Sequence, residues 1–170
     1  LHCHLYAGLD DGPATSASAE SMCRLAHADG TIACAATAHQ LGQFTSNTRA
    51  QILHAAAALV ERLQAKQIPL RVLPSAEWMV DSHWVERIDD LWPNLLTISD
   101  NHRYALIEFP FHQPHHTELI VRLLADRDVS PVLAHIDRYP NLFADTRSIG
   151  RLISEGFVLQ MNADTVDGRR

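Results

Sequence analysis

The sequence predicts an α/β fold with parallel strands, and three observations carry that expectation. Short apolar runs of strand length alternate with segments of helical periodicity along the whole chain. The order is repeatedly strand then helix, which builds parallel sheets. The residues able to bind a cation fall where the strand-like runs end, the edge at which parallel α/β proteins place their sites. A barrel and an open sheet both satisfy this pattern, and periodicity alone does not choose between them.

Taken in order, residues 16–28 are expected to be helical, with Met22, Leu25 and Ala26 as helix-spaced apolar positions and Gly30 where a C-cap sits. Residues 31–37 form a short apolar run of strand length. An Ala-rich helix follows over 46–66, with Ile52, Leu53, Ala56, Leu59, Val60 and Leu63 as its stripe. Residues 70–76 read as a strand and 82–91 as a helix. Residues 104–109 are a buried-strand candidate, and 114–125 a helix whose Pro114 suits a first turn. A strand over 129–134, a helix over 146–154 closed by Gly156, and a last strand over 157–161 complete the pattern.

Composition bounds the function. With 170 residues, 46% hydrophobic and 20% charged, the chain is long enough for one domain with a real core. A formal charge of −6 argues against a general nucleic-acid binder, which needs a basic face. It leaves an anionic substrate open, because bound cations reverse a local field. No apolar run approaches the roughly 20 residues of a membrane helix, so membrane insertion is not expected. Three cysteines without a CxxC pair point to a reducing, cytoplasmic setting. The start at Leu1 and the end at Arg169-Arg170 read as those of a fragment.

Eleven histidines are the unusual feature. His2 and His4 are two apart, so in a strand both imidazoles share a face and reach one cation. His39 follows the 31–37 strand, Glu77 and Glu108 end the next two, and His135 ends the fourth. Imidazole and carboxylate ligands suit Zn, Mn or Fe rather than Ca. A glutamate such as Glu108 is able to bridge two cations. Each of these residues alone is more ordinarily a surface or capping group; their agreement across five strand ends points to a metal site.

With those residues in view, the chain resembles the bacterial polymerase-and-histidinol-phosphatase (PHP) superfamily. Within it, the nearest branch is the manganese-dependent protein-tyrosine phosphatases of capsule and exopolysaccharide gene clusters. The matching pieces are His2-Cys3-His4-Leu5 leading through Gly8-Leu9-Asp10-Asp11-Gly12, then Thr37-Ala38-His39 and Ser75-Ala76-Glu77. Leu106-Ile107-Glu108-Phe109-Pro110, the stretch from Pro131 to Tyr139, and Leu159-Gln160-Met161-Asn162-Ala163 follow in order.

The resemblance implies a distorted (β/α)7-type TIM-like barrel, here a single domain over 1–170 truncated at both ends. It implies up to three divalent cations, Mn foremost with Fe or Zn as alternatives, held by His2, His4, His39, Glu77, Glu108 and His135. It assigns Arg138 to the substrate phosphate and places Glu108 in the catalytic centre. The implied reaction is phosphomonoester hydrolysis on a phosphotyrosine protein, a bacterial tyrosine kinase controlling polysaccharide export. Cys3 is then a packing residue. A small-molecule phosphatase of the histidinol-phosphate type and an inactive metal-binding barrel are the competing readings. Ala38 and Ile136 stand where the family usually has proline, Asp137 stands where it usually has glutamate, and a late Asp-x-His pair is not present.

Outside that set, Asp10 and Asp11 are candidates to orient a histidine, or simply part of a turn with Gly12-Pro13. His112, His115 and His116 are expected in a solvated loop or at a substrate entrance. His27, His54, His83 and His102 are expected at the surface or in packing, and Trp78, Trp84 and Trp92 in the core or its rim.

Overall fold

The computed structural model describes residues 1–110 and 114–168. His112 therefore lies outside the described residues. The elements run β1 (Cys3–His4), α1 (Ser16–Ala28), β2 (Ala33–Thr37), β3 (His39–Gln40), α2 (Arg49–Ala65), β4 (Arg71–Pro74), β5 (Glu77–Met79) and α3 (Ser82–Leu91). They continue with β6 (Tyr104–Glu108), α4 (Thr117–Ala125), β7 (Ser130–Leu133), α5 (Pro140–Phe143), α6 (Thr146–Glu155), β8 (Val158–Leu159) and α7 (Ala163–Val166).

All strand pairings among the named strands are parallel, as expected from the β-then-α order. The strands form two sheets, β1-β2-β4 and β3-β5-β6-β7-β8. These sheets share two extended segments. The chain passes from β2 to β3 through Ala38, and from β4 to β5 through Ser75-Ala76. The ladder continues across both bends, with Ser75 N–H donating to Ala36 C=O and Glu77 N–H to Ala38 C=O, each at 2.9 Å. No backbone pairing joins β1 to β8 among the described residues, so the strands do not close into a barrel there.

Local chemistry explains most boundaries. Thr48 and Gln51 form a reciprocal capping box at the start of α2, which fixes its beginning at Arg49, three residues later than periodicity suggests. The side chain of Asp81 caps α3 through the Trp84 N–H. Gly156, at φ 111°, ends α6 in a left-handed conformation that a side chain resists. The start of α4 departs from expectation for a similar reason: His116 adopts φ 51°, so helical geometry begins at Thr117 rather than at Pro114.

Packing corrects one face outright. Met22 and Leu25 of α1 are exposed, and the helix instead buries Ala19 and Cys23. Those small side chains let α1 seat closely on the core it shares with α2. The α2 stripe is as expected, with Ile52, Ala56, Leu59 and Leu63 buried and Leu53 and Val60 partly so. Trp78 and Trp84 are fully buried, and Trp92 meets Trp78 edge-on at 6.0 Å. The Trp78 indole donates to Leu96 C=O at 3.0 Å, which satisfies its one polar atom in the core. Cys3 packs partly buried against the same core.

Candidate metal centre

Five of the six residues expected as ligands, His2, His4, His39, Glu77 and His135, line one cavity of about 210 Å³ at the carboxyl edge of the strands together with Arg138, and Glu108 joins the cluster from behind through His39 and His135. The bends position them. Because β2 breaks at Ala38 and β4 at Ser75-Ala76, His39 and Glu77 open new strands that pair in register, His39 against Glu77. Glu77 thus begins β5 instead of ending the strand before it. Glu108 ends β6, and His135 follows β7 with φ 35°, an uncommon left-handed backbone for a residue with a side chain.

Glu77 is the hub. Its Oε2 lies 3.0 Å from His2 Nε2, 3.2 Å from His4 Nε2 and 3.4 Å from His39 Nδ1, and its Oε1 lies 2.8 Å from His135 Nε2. Glu108 faces His39 Nδ1 at 3.1 Å and His135 Nε2 at 3.4 Å. Glu77 therefore spans more of the cluster than Glu108, which the sequence offered as the example of a bridging carboxylate. Three sets of ligand atoms lie within 4.8 Å of one another: His2/His4/Glu77, His4/Asp11/His39 and His39/Glu77/Glu108.

Asp10 fixes the orientation of His4. Its Oδ2 accepts from His4 Nδ1 at 2.6 Å and from the His39 backbone N–H at 2.9 Å, while Oδ1 accepts from Gly12 N–H at 3.0 Å. A carboxylate only accepts, so His4 Nδ1 donates to Asp10, which leaves Nε2, turned to Glu77, as the ring atom a cation would take. Gly12 is required by this contact, since a Cβ there would sit 2.9 Å from His4 Cβ and 3.0 Å from Asp10 Oδ1. Phe44 stacks on His39, its ring 5.0 Å from that of the imidazole and within 5° of parallel.

The electrostatics follow from four imidazoles around two buried carboxylates. Burial disfavours the charged form of His4, but hydrogen bonds to Asp10 and Glu77 outweigh it and push its pKa up to about 10. Burial likewise opposes protonation of His135, and contact with Glu108 and Glu77 raises it to about 9. His39 is raised by Glu108 and Glu77 against the same burial cost. Burial would raise Glu77 and Glu108, yet His135, His2 and His4 hold Glu77 well below the usual carboxylate range, and His135 and His39 lower Glu108. Cations would take over the role of the imidazolium charges here.

The residues fit such ions on geometry as well. Among the described residues, Glu77 Oε1 and Glu108 Oε1 are buried and accept no hydrogen bond, although ring nitrogens stand 2.8 and 3.1 Å away. Close donor atoms without hydrogen-bond alignment are what ligands of a shared cation show. The His2 Nε2, His4 Nε2 and Glu77 Oε2 triangle has edges of 3.0, 3.1 and 3.2 Å. Tetrahedral ligands at about 2.0–2.1 Å from a metal stand roughly 3.3 Å apart.

Sequence reasoning understated two groups. Asp11, exposed, reaches within 3.6 Å of both His4 Nδ1 and His39 Nε2. Gln160 accepts from His2 Nδ1 at 3.2 Å, and its place directly after β8 was the signal, by the strand-end logic applied to the other residues. His115 packs near Phe109, 5.4 Å between ring centroids, away from the ligand cluster. His54, His83 and His102 are exposed and His27 is partly buried.

Fold and site define a class, an α/β protein with a pocket of imidazoles and carboxylates, suited to metal ions, at the carboxyl edge of parallel strands. The profile of one family, described as capsular polysaccharide synthesis, CpsB/CapC, matches residues 1–170, and the chain belongs to that family. It is 31% identical over 169 residues to the tyrosine-protein phosphatase YwqE of Bacillus subtilis (strain 168), covering 99% of this chain and 65% of YwqE. It is 27% identical over 168 residues to the tyrosine-protein phosphatase CpsB of Streptococcus pneumoniae, covering 96% of this chain and 66% of CpsB. The chain thus spans slightly less than two thirds of these relatives. Among solved structures it matches one from work describing YwqE and CpsB as unique metal-dependent tyrosine phosphatases. That match has a TM-score of 0.88 and 31% identity over 98% of this chain and 67% of the other.

Proposed function

We propose that residues 1–170 form one metal-dependent phosphomonoesterase domain acting on phosphotyrosine in a protein, with a tyrosine kinase of polysaccharide synthesis or export as its target. The observation that carries this reading is one cavity holding both the His/Glu cluster and Arg138. The Arg138 guanidinium has no ion pair or hydrogen bond among the described residues, so its five donors remain available. The relatives named as tyrosine-protein phosphatases support the substrate class.

Bound divalent cations would supply the positive charge and the water activation that phosphoryl transfer to water requires. His2, His4, His39, Glu77, Glu108 and His135 would hold them, with Mn as the proposed ion and Fe or Zn as alternatives. Arg138 binds the phosphoryl oxygens through its planar fork. Asp10 keeps the proton on His4 Nδ1 and so keeps Nε2 turned into the cavity. The cavity, about 210 Å³ and open to solvent, accepts a phosphoryl group, and the relatives named as tyrosine-protein phosphatases favour a protein substrate over a histidinol-phosphate type of small molecule. A phenolate leaving group, with a pKa of about 10, departs with little help from a general acid.

We further propose a distorted (β/α)7-type, TIM-like arrangement for the domain, on the continuity of the two sheets through their shared segments. The three free cysteines suit a cytoplasmic setting. Among the described residues no helix is long and apolar enough to cross a membrane.

The test is hydrolysis of a phosphotyrosyl peptide, p-nitrophenyl phosphate and histidinol phosphate by chelator-treated protein with and without added Mn. The reading expects activity restored by Mn, with kcat/KM highest for the peptide. Turnover that ignores chelation and Mn, or none under any metal, would refute it.

A further inference from the structure

Gln160 touches two parts of the metal centre that come from the two different sheets. Its side-chain Oε1 lies 3.2 Å from His2 Nδ1 beside β1 and 2.7 Å from the backbone N–H of His135 after β7. Its own backbone carbonyl accepts from Ile136 N–H at 2.9 Å, and its N–H donates to Leu133 C=O at 2.9 Å. The left-handed turn at His135 is therefore gripped by both the side chain and the main chain of one residue.

The orientation of the amide is determined by its neighbours. The His135 N–H needs an acceptor, which places Oε1 toward it, and Gln160 Nε2 donates to Met161 C=O at 2.8 Å on the other side. An amide oxygen only accepts, so His2 donates from Nδ1, and its Nε2, 3.1 and 3.0 Å from His4 Nε2 and Glu77 Oε2, is left as the ring atom a cation would take. Asp10 does the same for His4. Both rings of the His-x-His pair are thus set by an acceptor behind them, one carboxylate and one amide.

We propose that Gln160 is a positioning residue: it fixes the tautomer of His2 and the backbone of His135, and by joining β8 to β1 through a side chain it holds the outer strands of the two sheets around one metal centre. The inference rests on the metal-binding reading above and adds to it a residue that touches no cation.

The experiment is calorimetric titration of chelator-treated protein with Mn, with the His2 tautomer read by ¹⁵N–¹H NMR on Zn-loaded protein. The variants are Gln160→Leu, which keeps the size and loses the acceptor, Gln160→Asn, which keeps the amide but falls short, and Gln160→Glu, which keeps an acceptor in place. Loss of an outer partner typically weakens a metal site 10- to 100-fold. Gln160→Leu and Gln160→Asn should show a loss of about that size for at least one cation, with the Nδ1-protonated signature of His2 gone or mixed. Gln160→Glu should stay within about threefold of the parent and keep the signature. Circular dichroism of the metal-free variants reports folding, and if Gln160→Leu fails to fold the other two still decide. Parent-like affinity and His2 tautomer in Gln160→Asn would overturn the proposal, as would a loss in Gln160→Glu equal to that in Gln160→Asn. A parent protein that binds no cation would instead sink the metal-centre reading on which the proposal stands.

Discussion

His135 gives a pH signature that a histidine without carboxylate partners would lack. Its side chain is 2% exposed and faces Glu77 and Glu108, and in metal-free protein its pKa stands at about 9, against an ordinary 6.5. A raised pKa means the folded state holds the proton more tightly than the unfolded chain. The stabilisation is therefore complete below pH 6.5 and is lost as pH rises through 9. Between pH 7 and pH 10 the loss comes to about 2.5 kcal/mol. At 2–4 °C per kcal/mol for a chain of this size, that is a fall of roughly 5–10 °C in Tm. His4 acts in the same direction but shares Glu77, so the two effects do not simply add.

General alkaline destabilisation is removed by comparing metal-free parent protein with metal-free His135→Gln in thermal melts at pH 7, 8, 9 and 10. The packing cost of the substitution does not depend on pH, whereas the imidazolium contribution does. The stability gap between the two proteins should narrow by about 2–3 kcal/mol across that range. A gap that stays constant from pH 7 to pH 10 would refute the reasoning.

Three further outcomes follow from the geometry. Arg138→Ala should weaken inhibition by inorganic phosphate by about 10- to 100-fold, the worth of a charged hydrogen-bonded pair, with little change in Tm because the side chain is exposed. Arg138→Lys should recover only part of that, since an ammonium lacks the fork. Asp10→Asn should lower cation affinity about 10- to 100-fold in a calorimetric titration, because a neutral amide replaces the charged acceptor behind His4 and accepts at only one of its two ends. Gly12→Ala should produce a similar weakening with a small drop in Tm, as the new Cβ displaces His4 and Asp10, and parent-like affinity there would count against the close approach.

Much of the fold was legible because its signals are local. The helix over 82–91 appears with those bounds, since Asp81 supplies a cap and the apolar spacing is regular. What was not legible depends on tertiary contact. Met22 and Leu25 look like the inner face of α1, but the neighbouring α2 accepts only the small Ala19 and Cys23, and the larger residues turn outward. The bend at Ala38 carries no glycine or proline, and only Pro74, which ends β4, marks the Ser75-Ala76 break locally, a signal that does not say the chain resumes in a second sheet. Those bends decide that His39 and Glu77 start strands rather than end them. The identities of the candidate ligands could be read because imidazole and carboxylate at successive strand ends are conspicuous. Their hub could not: that Glu77 reaches four imidazoles and Glu108 fewer is a property of register, visible only once β3, β5 and β6 are paired. Asp10 was read as either an orienting acceptor or a turn residue, and it is both, since the turn brings Gly12 N–H to its second oxygen.

The most direct test of the central claim is anomalous scattering from crystals of the chain grown with Mn, collected on both sides of the Mn absorption edge. The account predicts anomalous density between Glu77 and the rings of His2, His4, His39 and His135, with ligand distances of about 2.0–2.3 Å. Fully Mn-supplemented crystals with no anomalous density in that cavity, and Glu77 held by the histidines alone, would contradict it.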